Sequence, residues 1–196
     1  MAARTRTFPV TGVDDADRLL VTEPLALLLG MLLDQQVPME FAFLAPFRLK
    51  ERLGGGPLDA ADIAAMSEEQ IDALFRERPA LHRFPGSMGK RAHQLCQVLV
   101  DEYGGDAAKI WKGVRSGDEL YRRLRALPGF GDEKARIFVA LLAKRMGVRP
   151  AGWEDAAGPF ADASPRSVAD IDSRESFARV RAWKQAQKAA GKGKQD

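Results

Sequence analysis

"LPGFGDEKA", residues 127–135, decides how this sequence is read. Two runs with helical spacing, "GDELYRRLRAL" up to Leu127 and "DEKARIFVALLAKRMG" from Asp132, meet at a Pro-Gly-Phe-Gly turn. Pro128 pre-sets its own φ, and Gly129 and Gly131 permit angles that residues with a Cβ resist. Such a turn aims successive amide N–H groups outward at the start of the second helix, a concavity that suits a phosphate oxygen. A plain helix–helix connector has the same composition, so the turn alone leaves a phosphate grip and a structural joint both open.

Outward from the hairpin, helical periods dominate. "EPLALLLGMLLDQQ" (23–36) has Pro24 near its start and an almost unbroken apolar surface, the pattern of a buried central helix. "MEFAFLAPFRLKERLGGG" (39–56) continues as helix, with a kink or restart expected at Pro46 and a stop at Gly54. "SEEQIDALFRERP" (67–79) opens on a capping box of Ser67 and Gln70. "GKRAHQLCQVLVDEYGG" (89–105) sets Ala92, Leu95, Cys96, Leu99 and Tyr103 on one stripe and ends on glycines. No strand pattern competes, so the fold class is all-α.

From Val148 to Asp172 the texture changes to Pro, Ala and Gly with little periodicity, which reads as a long loop. A helix capped by Asp172 with Glu175 is expected next. It passes into a basic, low-complexity end with Lys184, Lys188, Lys192 and Lys194, either a solvated tail or a non-specific phosphate contact. The expected organisation is one domain over 1–172, with the hairpin at 118–147 and the loop at 148–172, followed by a helical to disordered tail at 173–196.

The 196 residues suffice for one good core. A net charge of +3 and a pI of about 9.1 permit a nucleic-acid partner without demanding one. The single cysteine, Cys96, cannot form an internal disulfide or hold an iron–sulfur cluster, and with only His82 and His93 beside it a zinc site is nearly excluded. The longest apolar run, "LALLLGMLL", is too short to span a bilayer, and "MAARTRTFPV" lacks the apolar stretch of a secretory signal. A cytoplasmic protein without membrane partners is expected, nucleoid-associated if bacterial.

With its flanks included, "LPGFGDEKA" resembles the helix-hairpin-helix of the DNA glycosylase superfamily. Two further stretches fall in that family's order. "LLLGMLLDQQVPM" is similar to its early buried helix and glutamine-bearing loop, and "FPGSMGKRAHQLCQVLVDEYGG" to the helix that precedes the hairpin, with Arg91 in the basic position. Together they cover about residues 23–155. The resemblance implies a two-lobed helical fold that grips double-stranded DNA with the hairpin (Gly129, Phe130, Gly131). It also implies a base flipped from the duplex, with cleavage of its N-glycosidic bond. Gln36, or next Gln35, would fill the vacated stack, and Met39, Phe41, Phe43 and Trp153 are candidates to line a base pocket. A monovalent cation at the carbonyls of Gly129 and Gly131 is implied too; no other cofactor is, and a monomer is expected.

The family's aspartate, seven residues past the glycine that ends the second hairpin helix, carries over to Glu154 by register from Gly147 and to Asp155 by side-chain type. A carboxylate there supports the cationic sugar and orients water. Bifunctional members carry a lysine nucleophile two residues after the second hairpin glycine. Here that position is Glu133, and Lys134 lies one step on, rotated by about 100° on a helix. Lys134 is therefore expected at the surface or beside phosphate, and the enzyme to be monofunctional. Asp132 and Glu133 suit a helix start but would repel phosphate. A non-catalytic DNA-binding protein is the alternative.

Overall fold

The computed structural model describes residues 7–193 and Gln195, so the expected basic contact at Lys194 lies outside the described residues. These residues form ten α-helices and no strand: α1 (Asp14–Thr22), α2 (Pro24–Leu33), α3 (Met39–Arg52), α4 (Ala60–Ala64), α5 (Glu68–Arg76), α6 (Pro85–Tyr103), α7 (Gly117–Arg125), α8 (Asp132–Leu141), α9 (Trp153–Ala157) and α10 (Arg174–Ala189). The all-α expectation holds. Among the described residues no helix is long and apolar enough to cross a membrane. Contacts divide the chain into two compact units. One comprises Thr11–Ile110 with Leu127–Gly129; the other comprises Phe8–Val10, Trp111–Ala126 and everything from Phe130 on.

In the first unit α2 is the central rod, buried at every position from Leu25 to Leu33. Gly30 lets α3 close on it, since a Cβ there would stand 2.6 Å from the Phe43 ring. Helix α3 runs through Pro46 as one element, against the expected restart. One i→i−4 bond is forgone, and burial of Ala42, Phe43, Ala45, Pro46 and Leu49 outweighs it. The Ser67–Gln70 capping box forms as expected, and α6 ends on Gly104 in the left-handed region.

In the second unit the core is α8, buried from Ile137 to Leu141, with Trp111 set edge-on to Phe138 at 5.9 Å. A single π-turn, Leu142–Met146, follows it. The stretch 148–172, expected as a long loop, is built of short elements. It holds α9 and two 3-10 turns, and it buries Phe160, Val168, Ala169 and Ile171. Elements of three to five residues are too short to show a period. Lys144 pins the stretch by donating to Asp170 Oδ1 and to the Asp162 carbonyl, both at 2.6 Å.

Helix α10 is capped by Ser173 with Ser176, not by Asp172, which pairs with Arg145 at 3.4 Å. The division expected at residue 172 is no boundary between the two units, because α10 buries Ser176 and Val180 within the second.

Candidate functional site

The two hairpin glycines differ in kind. Gly129 has φ +79°, and a Cβ on it would meet Leu32 Cδ1 at 2.5 Å, so conformation and packing both require glycine. Gly131 is extended at φ −80° and ψ 177°, an ordinary conformation that leaves the freedom of a glycine unused. A Cβ at Gly131 would touch nothing within 4 Å. Nothing inside the protein therefore demands glycine at 131; an external group approaching the main chain would. Gly131 is also the N-cap of α8, and no side chain caps that end.

The carboxylate feared as a repellent is drawn aside. Asp132 accepts from the Tyr121 hydroxyl and from Arg136 Nε at 3.1 Å, and the Arg136 guanidinium lies over the Tyr121 ring at 5.1 Å. The Tyr121 hydrogen bond first, and Arg136 after it, hold the Asp132 carboxyl below its usual range; the same bond raises Tyr121. Phe130, counted with the DNA contacts, turns its ring into the core 6.1 Å from Phe138, so only its backbone remains at the turn. The Lys134 ammonium lies over that ring at 5.8 Å.

In the first unit Gln35, Arg91 and Gly129 come together. Arg91 Nη1 donates to Gln35 Oε1 at 3.2 Å, and Arg91 Cδ passes 3.6 Å from the Cβ position of Gly129. The Gln35 amide also donates to the Leu32 carbonyl at 3.3 Å, so its hydrogen-bonding capacity is largely spent inside the protein. Gln36 is the opposite case. It is exposed at the loop tip with φ +56°, and no other non-glycine residue among those described has a positive φ. Such a conformation costs about 1 kcal/mol or more and marks a constrained position.

Sequence reasoning missed His82, weighed only as a zinc ligand. It is buried, with Nε2 3.2 Å from the Leu33 carbonyl and 3.1 Å from the Gln35 carbonyl, while Nδ1 accepts from Phe84 N at 3.0 Å. The accepting Nδ1 leaves Nε2 as the protonated donor, and the ring braces the glutamine loop. The two carbonyls it braces lie 49 and 47 positions away in sequence, so no motif could announce it. Met39 and Phe43 of the pocket candidates are core; Phe41 is half-buried with the Arg48 guanidinium 5.6 Å from its ring, and Trp153 is half-buried in α9.

Glu154 and Asp155 occupy the first turn of α9, both exposed, and among the described residues no donor reaches either carboxylate. Elsewhere, a 470 Å³ concavity whose lining includes Glu68, Glu69, Asp72, Lys90 and His93 contains none of these residues, and within it Lys90 pairs with Glu68 while Asp72 pairs with Arg76. Among the described residues no cluster of His, Cys, Asp or Glu could hold a metal ion.

A helical fold with an uncapped Pro-Gly-Phe-Gly hairpin, and a glutamine loop set beside it by Arg91, defines a helix-hairpin-helix DNA-binding protein. The sequence profile of the HhH-GPD superfamily base excision DNA repair proteins matches residues 29–193, and the chain belongs to that family. It is accordingly a DNA-binding protein of base excision repair, of the glycosylase type of hydrolase. No individual curated protein matches it.

Proposed function

We propose that the protein is a monofunctional DNA N-glycosylase that removes a modified base from duplex DNA and leaves an abasic site. The observation that carries this reading is the pair of exposed, unpartnered carboxylates on α9, set against a hairpin helix with Glu133 where a lysine nucleophile would stand and Lys134 laid over Phe130.

The chemistry follows from the side chains available. As the bond from the sugar C1′ to the base nitrogen lengthens, positive charge grows on the sugar. Asp155 or Glu154 supports that charge and orients a water molecule. The water oxygen bonds to C1′, its proton passes to the carboxylate, and the base departs with the electron pair of the broken bond. With no amine attack, no Schiff base forms and the strand stays intact. Gln36, exposed where Gln35 is tied to Arg91, occupies the vacated stack, and its amide can hydrogen-bond the orphan base. The main chain at Gly129–Gly131 grips the backbone, with Arg91 and Gln35 steadying the loop.

A monovalent cation at the carbonyls of Gly129 and Gly131 fits the residues poorly. The Gly131 carbonyl accepts from Ala135 N at 3.0 Å, and Arg125 donates to the Phe130 carbonyl at 3.2 Å, bringing positive charge to the turn. The partner is duplex DNA carrying a damaged base, engaged by a monomer; a cytoplasmic, DNA-associated setting suits that role. That both carboxylates are exposed, not enclosed in a pocket wall, favours one second reading, a DNA-binding protein without chemistry.

Duplexes bearing alkylated, deaminated and oxidised bases separate the two. On one of them the protein is expected to produce strand breaks only after alkali, with no adduct trapped by borohydride. Changing Glu154→Gln and Asp155→Asn together should cut the rate by about 100-fold or more, the scale of a lost electrostatic stabiliser, while duplex affinity persists. No alkali-labile site on any duplex, where a control glycosylase makes them, would leave the binding-only reading standing.

A further inference from the structure

Helix α9 is five residues long, too short to hold itself in place: the last four carbonyls of any helix have no partner within it. Two contacts from the hairpin helices supply what it lacks. At its start, Gly117 N donates to the Ala151 carbonyl at 2.8 Å, and a Cβ on Gly117 would lie 2.5 Å from Gly152 O and 2.6 Å from Trp153 Cα, so α7 meets the main chain just before the acids. At its end, Arg136 Nη1 donates to the Ala156 carbonyl at 3.3 Å, the carbonyl next after Asp155.

Arg136 is itself held by two neighbours that are hydrogen-bonded to each other. Nε donates to Asp132, the guanidinium face rests on Tyr121, and Tyr121 donates to the same Asp132 carboxylate. The rigid guanidinium fork reaches the two acceptors from separate nitrogens, Asp132 from Nε and the Ala156 carbonyl from Nη1. The chain of contacts runs from Asp132, the first residue of α8 after the uncapped glycine, to the backbone that carries the two carboxylates.

We infer that Arg136 is a positioning residue for the acidic turn: it ties α9 to the DNA-gripping end of α8 and so sets where Glu154 and Asp155 stand relative to the bound strand. The inference rests on the reading of those acids as the groups that support the sugar cation. Its reach differs from that reading, because Arg136 acts through the Ala156 carbonyl and Asp132, as a residue that positions the acids.

The test does not require knowing the damaged base. Two duplexes are compared, one with a protonated pyrrolidine in place of a nucleotide's sugar, which mimics the cationic transition state, and one with neutral tetrahydrofuran there. A correctly placed carboxylate makes the wild-type protein bind the pyrrolidine duplex more tightly, by about tenfold or more. Arg136→Ala should lower that preference by about tenfold while tetrahydrofuran-duplex affinity stays within about twofold, since small misplacements of a reacting group cost this much or more. Amide hydrogen exchange at Trp153–Ala157 should rise in step. Arg136→Lys, which keeps the charge beside Asp132 but replaces the separated Nε and Nη1 of the fork by a single nitrogen, gives the same direction of change if the alanine variant does not fold.

The inference is overturned if Arg136→Ala and Arg136→Lys keep the preference while the Glu154→Gln/Asp155→Asn double variant loses it; the reading of the acids then survives alone. A double variant that keeps the preference removes that reading and this one together. Equal losses on both duplexes would make Arg136 a structural residue only, and would overturn it as well.

Discussion

Gly129 and Gly131 show how two identical letters in a turn carry opposite obligations. At Gly129 the demand is internal: φ is +79° and Leu32 Cδ1 fills the place of a Cβ. Gly129→Ala should therefore destabilise the fold by about 2–3 kcal/mol, combining a left-handed residue with an overpacked contact. Thermal unfolding checks this. Gly131→Ala meets neither obstacle and should leave the melting temperature within about 2 °C, an exposed change without a mechanism for loss. It should nonetheless weaken duplex binding, because a methyl group would stand where a phosphate meets the main chain. A binding isotherm that does not move for Gly131→Ala would contradict that account. The sequence made both glycines visible but gave them one reason, since φ and the empty space around a residue are properties of the folded chain. Gln35 and Gln36 were inseparable for the same reason: the Arg91 partner that occupies Gln35 lies 56 positions away.

Elements with a long period were legible and short ones were not. Helices α2, α6, α7 and α8 announce themselves by apolar spacing and by terminal Pro or Gly, and the structure places them where that spacing predicts. The stretch 148–172 did not, because Phe160, Val168 and Ile171 are buried singly by turns of three to five residues. What fixes that stretch is electrostatic and long-range. Lys144, on the π-turn after α8, reaches Asp170 and the Asp162 carbonyl; side-chain exposures of 13% and 8% for Lys144 and Asp170 put the pair beyond most solvent screening. Lys144→Met keeps the volume and strands the Asp170 carboxylate, a change expected to cost about 3 kcal/mol as a broken buried pair. Replacing both partners by apolar residues should restore much of that loss. If the single and double variants melt alike, the ion pair is not what holds 148–172 to α8.

At the scale of the molecule, the distribution of charge matters more than its sum. Between Arg174 and Lys192 stand six cations (Arg174, Arg179, Arg181, Lys184, Lys188, Lys192) and one acid, Glu175. Subtracting them from 30 cations and 27 acids leaves 24 against 26, so the rest of the chain is net acidic although the whole is +3. Long-range attraction to a polyanion must then come largely from α10 and the residues just past it, with the hairpin amides acting only at contact. The basic end that the sequence left between solvated tail and phosphate contact is, on this ledger of charge, the electrostatic lead. Lys188 and Lys192 are exposed, and neither is needed for the Val180 contact that docks α10. Changing both to Gln should leave stability unchanged and reduce the slope of log K against log salt by about 1.8, at about 0.9 per phosphate contact. Affinity at low salt should fall equally for every duplex sequence, because phosphate contacts position without reading bases. Base removal under saturating protein should be unaffected, since neither lysine bears on the sugar. A salt slope identical to that of the unmodified chain would mean that DNA is drawn in by another face, despite the net acidity of everything outside α10.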